Sequence, residues 1–386
     1  SRNWGWIRQQ GRDPAELPIM MDSIDTWQGL SKECGDDIGF TREGVLYAAK
    51  NDSEMAEHER WMDTAIQHQL DTRLLSGAKV DQLIKGKPGQ WKGGMLTPSD
   101  ARAEPFKAVP ALARALHNRG GLIRENCAVR SIDIQGGKVT GVITEHGNVK
   151  AQSVVCAGGA WSTVFLANLG INLPQLAVRA TVARTAPAPD IYQGNAALSE
   201  IAIRRRQDGG YTLASSPQNE HFIGADSFRH FFKFLPALYQ SVRFIELRFG
   251  GDVMHRMLPT RRWRDDETTP FEAHRVLNPA PSQKALNAMR KGLKKRLPKL
   301  AEIPFEETWA GLIDVTPDVV PVMDHIESHP GLLLATGFSG HGFGIGPGAG
   351  KVMADMVMGN SAAHDLSRFR MSRFSDGSPM VPGPGL

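Results

Sequence analysis

No apolar stretch in this chain of 386 residues approaches the roughly 18 residues that a membrane-spanning helix requires. Cysteine is scarce. Cys34, Cys127 and Cys156 are the only three, with no C-x-x-C pair and no metal-ligand spacing, so neither a disulfide scaffold nor a metal site is indicated. Cys127 and Cys156 fall in apolar, strand-like surroundings and read as inert thiols, which suits a reducing, cytoplasmic location. Charge of one sign is also lacking. The 45 Lys and Arg against 41 Asp and Glu leave a net charge of +4, too small to point to nucleic acid. Basic residues cluster at Arg204-Arg205-Arg206, at Arg261-Arg262-Trp263-Arg264 and from Arg290 to Lys299; the last cluster reads as the solvated face of a helix. There is no H-E-x-x-H pair, no P-loop and no serine elbow with a His and an Asp in order, which removes three large classes of hydrolytic chemistry. Internal repeats and low-complexity linkers are missing too.

What is abundant is glycine, and it is concentrated near the end. The apolar run Leu332-Leu333-Leu334-Ala335-Thr336 leads into Gly337, Phe338, Ser339, Gly340, His341, Gly342, Phe343 and Gly344, and then into an apolar run from Val352 to Met358. A short buried strand, a glycine-dense turn and a helix make a cradle for an anion or a polarised ring. Glycine allows close approach to backbone N–H groups, and the helix N-terminus adds about half a positive charge. The His and two Phe among the glycines suit a flat aromatic ligand better than a bare phosphate.

The rest of the pattern predicts an α/β chain. Helices are expected over Pro14–Lys32, Ser53–Ser76 (capped by Asp52 or Ser53), Val109–Asn118, Phe228–Phe249 and Pro281–Leu297. Strands are expected at Gly44–Ala49, Leu122–Asn126, Val129–Ile134, Val139–Thr144, Val149–Ala151 and Glu306–Leu312, with a fully buried one at Ser153–Ala157. Residues 177–225 read as antiparallel strands with a hairpin turn at Gln207–Gly210. Val154 to Cys156 ends in a second glycine turn, Ala157-Gly158-Gly159-Ala160-Trp161, which looks like half of a nucleotide-binding layer. The tail after Asn360 reads as surface-bound or frayed.

Together these segments resemble the FAD-dependent amine and amino-acid oxidoreductases, the family of glycine oxidase, sarcosine oxidase and D-amino-acid oxidase or dehydrogenase. The likeness lies in Gly94–Trp161, in Thr308–Asp324 (TWAGLIDVTPDVVPVMD) and in Leu332–Met356 (LLLATGFSGHGFGIGPGAGKVMADM). It implies a Rossmann-like FAD-binding sheet layered with helices plus an antiparallel substrate-binding sheet. The FAD-binding domain would take residues 1–18, 94–176 and 305–362, the substrate domain 19–93 and 177–304, and the tail 363–386. In the family a first βαβ unit with G-x-G-x-x-G precedes the loop that Ser1-Arg2-Asn3 resembles. The chain, which opens without Met, is therefore expected to lack a front of about 30 residues, and by itself to bind FAD weakly.

The resemblance implies FAD, non-covalently held, at Ser1, Arg2, Asn3, Trp4 and Gly5, at Val129, at Ala157, Gly158, Gly159 and Trp161, at Gly311, and along Gly337 to Gly344. It implies oxidation of the C–N bond of an amino acid or amine by hydride transfer to flavin N5, giving an imine that hydrolyses to an oxo acid or aldehyde. A truncated or non-catalytic subunit, and a flavin-dependent 2-hydroxy-acid oxidoreductase, are the alternatives. In the family some oxidases carry, where Gly344 stands, a Lys that faces the flavin and is linked to oxygen reactivity, which puts dioxygen as acceptor in doubt. Glycine-oxidase-like members carry a carboxylate-binding Arg where Ile313-Asp314 stand. Candidates for contact with substrate are Trp6, Tyr211, Arg229, Tyr239, Trp309 and Asp314, with His230 near them and Arg184 and Arg256 as spare carboxylate clamps. His341 and Asp314 are the catalytic candidates; each has a plain alternative, as a loop histidine satisfied by backbone and as a turn-capping Asp. The expected partner is a small amino acid or amine; no nucleic acid is expected, and a homo-oligomer is left open.

Overall fold

The computed structural model describes residues 2–215, 219–241, 245–250 and 262–383. Ser1 and Arg256 lie outside them. The chain is α/β, and its strands fall into four sheets. In one three-stranded layer Val154–Cys156 pairs in parallel with Leu332–Thr336, which pairs antiparallel with Val322–His325. Leu332–Thr336 is buried on both faces, as a parallel strand needs to be. Its Leu333 enters the core shared with the helices Leu17–Cys34 and Gly342–Met358, while Leu332 and Leu334 enter the core shared with Ile132, Phe165 and Leu166.

The largest sheet has ten strands. Its long element is Phe305–Val315, which runs antiparallel to Leu176–Thr185 along its whole length. The helix Gln283–Arg296 covers this sheet through Ala285, Met289 and Leu293. A three-stranded meander, Val129–Gln135, Lys138–Thr144 and Gly147–Lys150, stands apart. A small ribbon joins Trp6–Ile7, Ala101–Arg102 and Thr41–Arg42 and lays Trp6–Ile7 against the helix Gly342–Met358.

The helices Leu17–Cys34 and Gly342–Met358 cross closely. A Cβ on Gly348 would stand 2.4 Å from the Ile19 carbonyl oxygen, so only glycine permits this crossing. Ser23 is inserted into the backbone ladder there. Its hydroxyl donates to the Gly344 carbonyl at 2.7 Å and accepts from the Gly348 N–H at 3.2 Å, and Trp27 Nε1 donates to the same carbonyl at 2.9 Å.

Several expectations are corrected. The helix predicted over Ser53–Ser76 is Asp52–Gln67, capped by Asn51, whose Oδ1 accepts the Glu54 N–H at 2.9 Å. Gln69 then takes a positive φ of 56° and the chain leaves as the strand Arg73–Ser76. Leu122–Asn126 is not a strand, because no described strand lies beside it to complete a ladder. The strand Val154–Cys156 is not fully buried, since Val155 is 38% exposed. The aromatic stretch Phe228–Phe249 is two helices, Ala225–Arg229 and Phe231–Ser241, followed by the strand Ile245–Arg248, which pairs in parallel with Asn219–Phe222. Of the two states open to the tail, bound and frayed, it takes the first: Phe369 and Phe374 are buried, and Arg373 makes a two-pronged contact with buried Asp318. In the basic cluster Lys291, Lys294 and Lys295 are solvated, but Arg290 lies over the Phe305 ring and Arg296 over Trp91.

Candidate cofactor and substrate site

The glycine turn after Leu332–Thr336 is built by three successive demands on the backbone. Gly337 and Gly340 take φ of +73° and +83°, and Ser339 takes +48°. A Cβ at Gly337 would also strike the Thr316 methyl at 2.4 Å. Asp314 holds the turn in place. Its Oδ2 accepts the Gly337 N–H at 2.7 Å and lies 3.4 Å from Thr336 Oγ1, while its carbonyl accepts the Ser339 N–H at 3.0 Å. Burial raises the Asp314 carboxyl above its ordinary value, and the donated backbone N–H groups oppose that. Asp314 is therefore the anchor of the turn, with Oδ2 committed to the Gly337 N–H; of its two expected roles this favours the turn-capping one over substrate contact or catalysis.

His341 caps the helix Gly342–Met358, so the positive end of the helix and its free N–H groups point out of the turn. The second glycine turn reaches the same place, because Thr336 Oγ1 lies 2.8 Å from Ser162 Oγ and 3.3 Å from the Gly159 carbonyl. The start of the chain arrives from the other side. Trp309 Nε1 donates to the Arg2 carbonyl at 2.9 Å, and a Cβ on Gly311 would be 3.4 Å from the Arg2 Cβ. Asn3 Oδ1 accepts the Gly5 N–H at 2.7 Å, with Gly5 at φ +93° and backed by Ala103. Segments 2–5, 157–162 and 336–342 thus converge along the strand Phe305–Val315.

Beside the turn lies a group of buried polar side chains that the sequence reading passed over. Glu16 is 1% exposed, and neither of its carboxylate oxygens has a hydrogen-bond partner; His341 Nδ1, 3.5 Å from Oε2, has none either. Arg12 is equally buried, with Nε and Nη1 unpartnered, and Gln10 Nε2 is unpartnered as well. Arg8 donates to the Gln10 carbonyl at 2.5 Å and lies over the Tyr47 ring. Around that ring, Trp6 Nε1 and His58 Nε2 also lack partners. No carboxylate among the described residues comes within ion-pair distance of Arg8 or Arg12. Burial pushes the Glu16 carboxyl up to about 7 and the Arg12 guanidinium down to about 9, where Arg8 adds repulsion. Burial first, then Arg12 and Arg8, hold His341 well below its ordinary value, so it is neutral. Asp100, also pushed to about 7 by burial, accepts the backbone N–H groups of Gln9 and Gln10 and fixes this loop. The signal in the sequence was the run of charges from Arg8 to Glu16 ahead of an apolar helix.

The remaining predicted residues scatter. Trp4 stacks on Trp6 at 4.5 Å between ring centres. Val129 opens the meander, and Trp161 packs edge-on against Phe271. Phe338 joins the core behind the turn, and Phe343 packs on Trp27. Gly344 faces inward, and a Cβ there would lie 3.3 Å from both the Trp6 carbonyl oxygen and the Ile7 Cα, so a side chain at 344 would crowd the segment Trp6–Ile7. Tyr211 is corrected as a substrate residue: it is fully buried and its hydroxyl accepts from the Ile191 and Tyr192 N–H groups. Arg229 is paired with Asp226 on the surface, and Tyr239 is 87% exposed. Neither enters the convergence of segments, and His230, on the same stretch, is buried and pushed down to about 4. Arg184 lines a cleft of ≈ 370 Å³ that shares Asn3 and Trp309 with this convergence and also includes Phe106; the guanidinium is held loosely by Glu306 and Glu307.

Comparison with known proteins agrees with this geometry. The family described as FAD dependent oxidoreductase matches residues 1–356. The solved L-amino acid deaminase from Proteus myxofaciens, in complex with anthranilate, superposes with a TM-score of 0.91 at 28% identity, over 97% of this chain and 85% of that one. The 4-methylaminobutanoate oxidase (formaldehyde-forming) of Paenarthrobacter nicotinovorans is 26% identical over 91% of this chain, which spans only 38% of that relative's length. The D-amino acid dehydrogenase of Paramagnetospirillum magneticum is 24% identical over 86% of this chain and 67% of its own. No helix among the described residues is long and apolar enough to cross a membrane.

Proposed function

The chain belongs to the FAD-dependent oxidoreductases, and on that premise we propose that it oxidises the C–N bond of an amino acid, giving an imine that water hydrolyses to an oxo acid. Bound FAD would supply the hydride acceptor. The residues present fit it. Cβ atoms added at Gly159 and Gly346 would meet no protein atom within 4 Å, so these glycines leave open space and do not serve a close protein contact. The backbone N–H groups of Gly340 and of the first helical turn, Gly342 to Gly344, would hold the ring edge that gains negative charge, while those of Gly337, Ser339 and His341 are spent within the turn. Residues Arg2–Gly5, Gly158 and Gly159 would flank the cofactor. Gly311, in place of a reactive side chain, favours non-covalent attachment.

The observation that carries this reading is the placement beside the glycine turn of two guanidinium groups, half-buried Arg8 and buried Arg12, with no carboxylate of the described residues within ion-pair distance and with Arg12 Nε and Nη1 unpartnered. A buried cation without a counter-ion is costly, and a substrate carboxylate supplies one, in the two-donor geometry an arginine favours. This favours amino acids over simple amines and replaces the clamp expected at Ile313-Asp314. A cytoplasmic location completes the reading, supported by the free thiols of Cys34, Cys127 and Cys156. The test is a panel of L- and D-amino acids, N-methylglycines and polyamines, run with dioxygen and with an artificial dye. Turnover of α-amino acids with the dye is expected. Oxidation of polyamines alone would overturn the reading.

A further inference from the structure

Resting on that reading, we propose that Glu16 is the base that takes the ammonium proton of a zwitterionic α-amino acid whose carboxylate lies on Arg12. Both residues are buried on one turn of chain ahead of the helix Leu17–Cys34, and both present polar atoms that no described residue satisfies. A carboxyl group with no donor and a guanidinium with no acceptor, four residues apart, form the complement of a molecule carrying one cationic and one anionic group. His341 lies against Glu16 at 3.5 Å and, being neutral, places no second charge on it. The other charged groups that face Glu16 are Arg8 and Asp13 from its own loop, Asp318 from the loop after the strand Phe305–Val315, and Arg368 from the tail. In the step itself the N–H bond of the ammonium breaks and an O–H bond forms on Glu16. The substrate keeps the nitrogen lone pair that the departing hydride requires, and no oxidant is consumed. With burial holding its carboxyl near 7, Glu16 is matched to that proton at neutral pH.

The test compares the wild type with Glu16→Gln and Glu16→Asp. In the wild type kcat/KM should fall on the acid side through the Glu16 titration. In Glu16→Gln it should drop about 100-fold or more at pH 7 and then climb about tenfold per pH unit, as free amine replaces ammonium in solution. Glu16→Asp should keep the acid limb at a lower rate. Independently of turnover, calorimetry should show that the wild type binds an α-amino acid more tightly than the same acid without its nitrogen, and that Glu16→Gln binds the two equally. An unchanged pH profile together with a retained preference would overturn the role of Glu16. If no amino acid turns over at all, the functional reading fails, and the calorimetric preference still decides whether Glu16 meets an ammonium group.

Discussion

At the residue scale, the difference between what could and could not be read ahead of the structure is a matter of partners. Asp314 was visible as a charged residue at the end of an apolar strand, and two roles were open to it. The Gly337 N–H at 2.7 Å decides between them. Replacing Asp314 with Ala leaves that N–H buried without an acceptor, which costs about 1–3 kcal/mol. Urea unfolding should show the loss, with weaker FAD binding alongside it; unchanged stability would mean that the turn does not depend on Asp314. Glu16 could not be singled out from sequence, because its distinguishing feature is a buried carboxylate without hydrogen-bond partners, which only folding reveals. Its carboxyl lies near 7 in the fold, above the value of an exposed Glu, so the folded state holds that proton more tightly than the unfolded chain. Its contribution is fully present below about pH 4 and is lost as pH rises through 7. Glu16→Gln should flatten that decline by on the order of 3 kcal/mol between pH 5 and 8, read from urea midpoints at the two pH values. An identical decline in both proteins would place the Glu16 carboxyl elsewhere.

At the element scale, regular hydrophobic periods were legible and breaks were not. Leu332–Thr336 and the hairpin Ile201–Arg205 with Tyr211–Ser215 follow their patterns closely, since strand alternation and a tight polar turn are local. The stretch Phe228–Phe249 kept one apolar character while changing from helix to strand, and only its parallel pairing with Asn219–Phe222 distinguishes the two. The glycines of the helix Gly342–Met358 divide in a way that spacing did not disclose. Gly344 and Gly348 press on the start of the chain and on the helix Leu17–Cys34, whereas Gly346 and Gly350 face open space. Gly348→Ala should destabilise by about 1–3 kcal/mol through overpacking. Gly350→Ala should stabilise by about 0.5–1 kcal/mol, because the helix gains a better former. Thermal unfolding of the two variants checks the contrast, and equal effects would contradict the crossing geometry.

At the scale of the whole molecule, the class of fold and the family were legible because three separated segments carried them. The docking of the tail was not, because it rests on one long-range pair. Arg373, 2% exposed in its side chain, meets the fully buried Asp318, and Arg368 adds a looser contact at 3.5 Å. The loop that carries Asp318 follows the strand holding Asp314, so the tail braces the cofactor side from behind. Arg373→Met should cost about 3–5 kcal/mol, since it strands a buried carboxylate, and limited proteolysis should then release the tail. A tail that stays protected would assign the docking to Phe369 and Phe374 instead.

A crystal structure of the holoprotein with a bound α-amino acid tests the glycine shelf and its polar neighbours most directly. The pyrimidine edge of the flavin should face the N–H groups between Gly337 and Gly344, with the ligand carboxylate on Arg12 and its nitrogen within hydrogen-bond reach of Glu16. A flavin ring lying elsewhere, or a ligand that leaves Arg12 and Glu16 touching only water, would contradict both the shelf and the substrate class built on it.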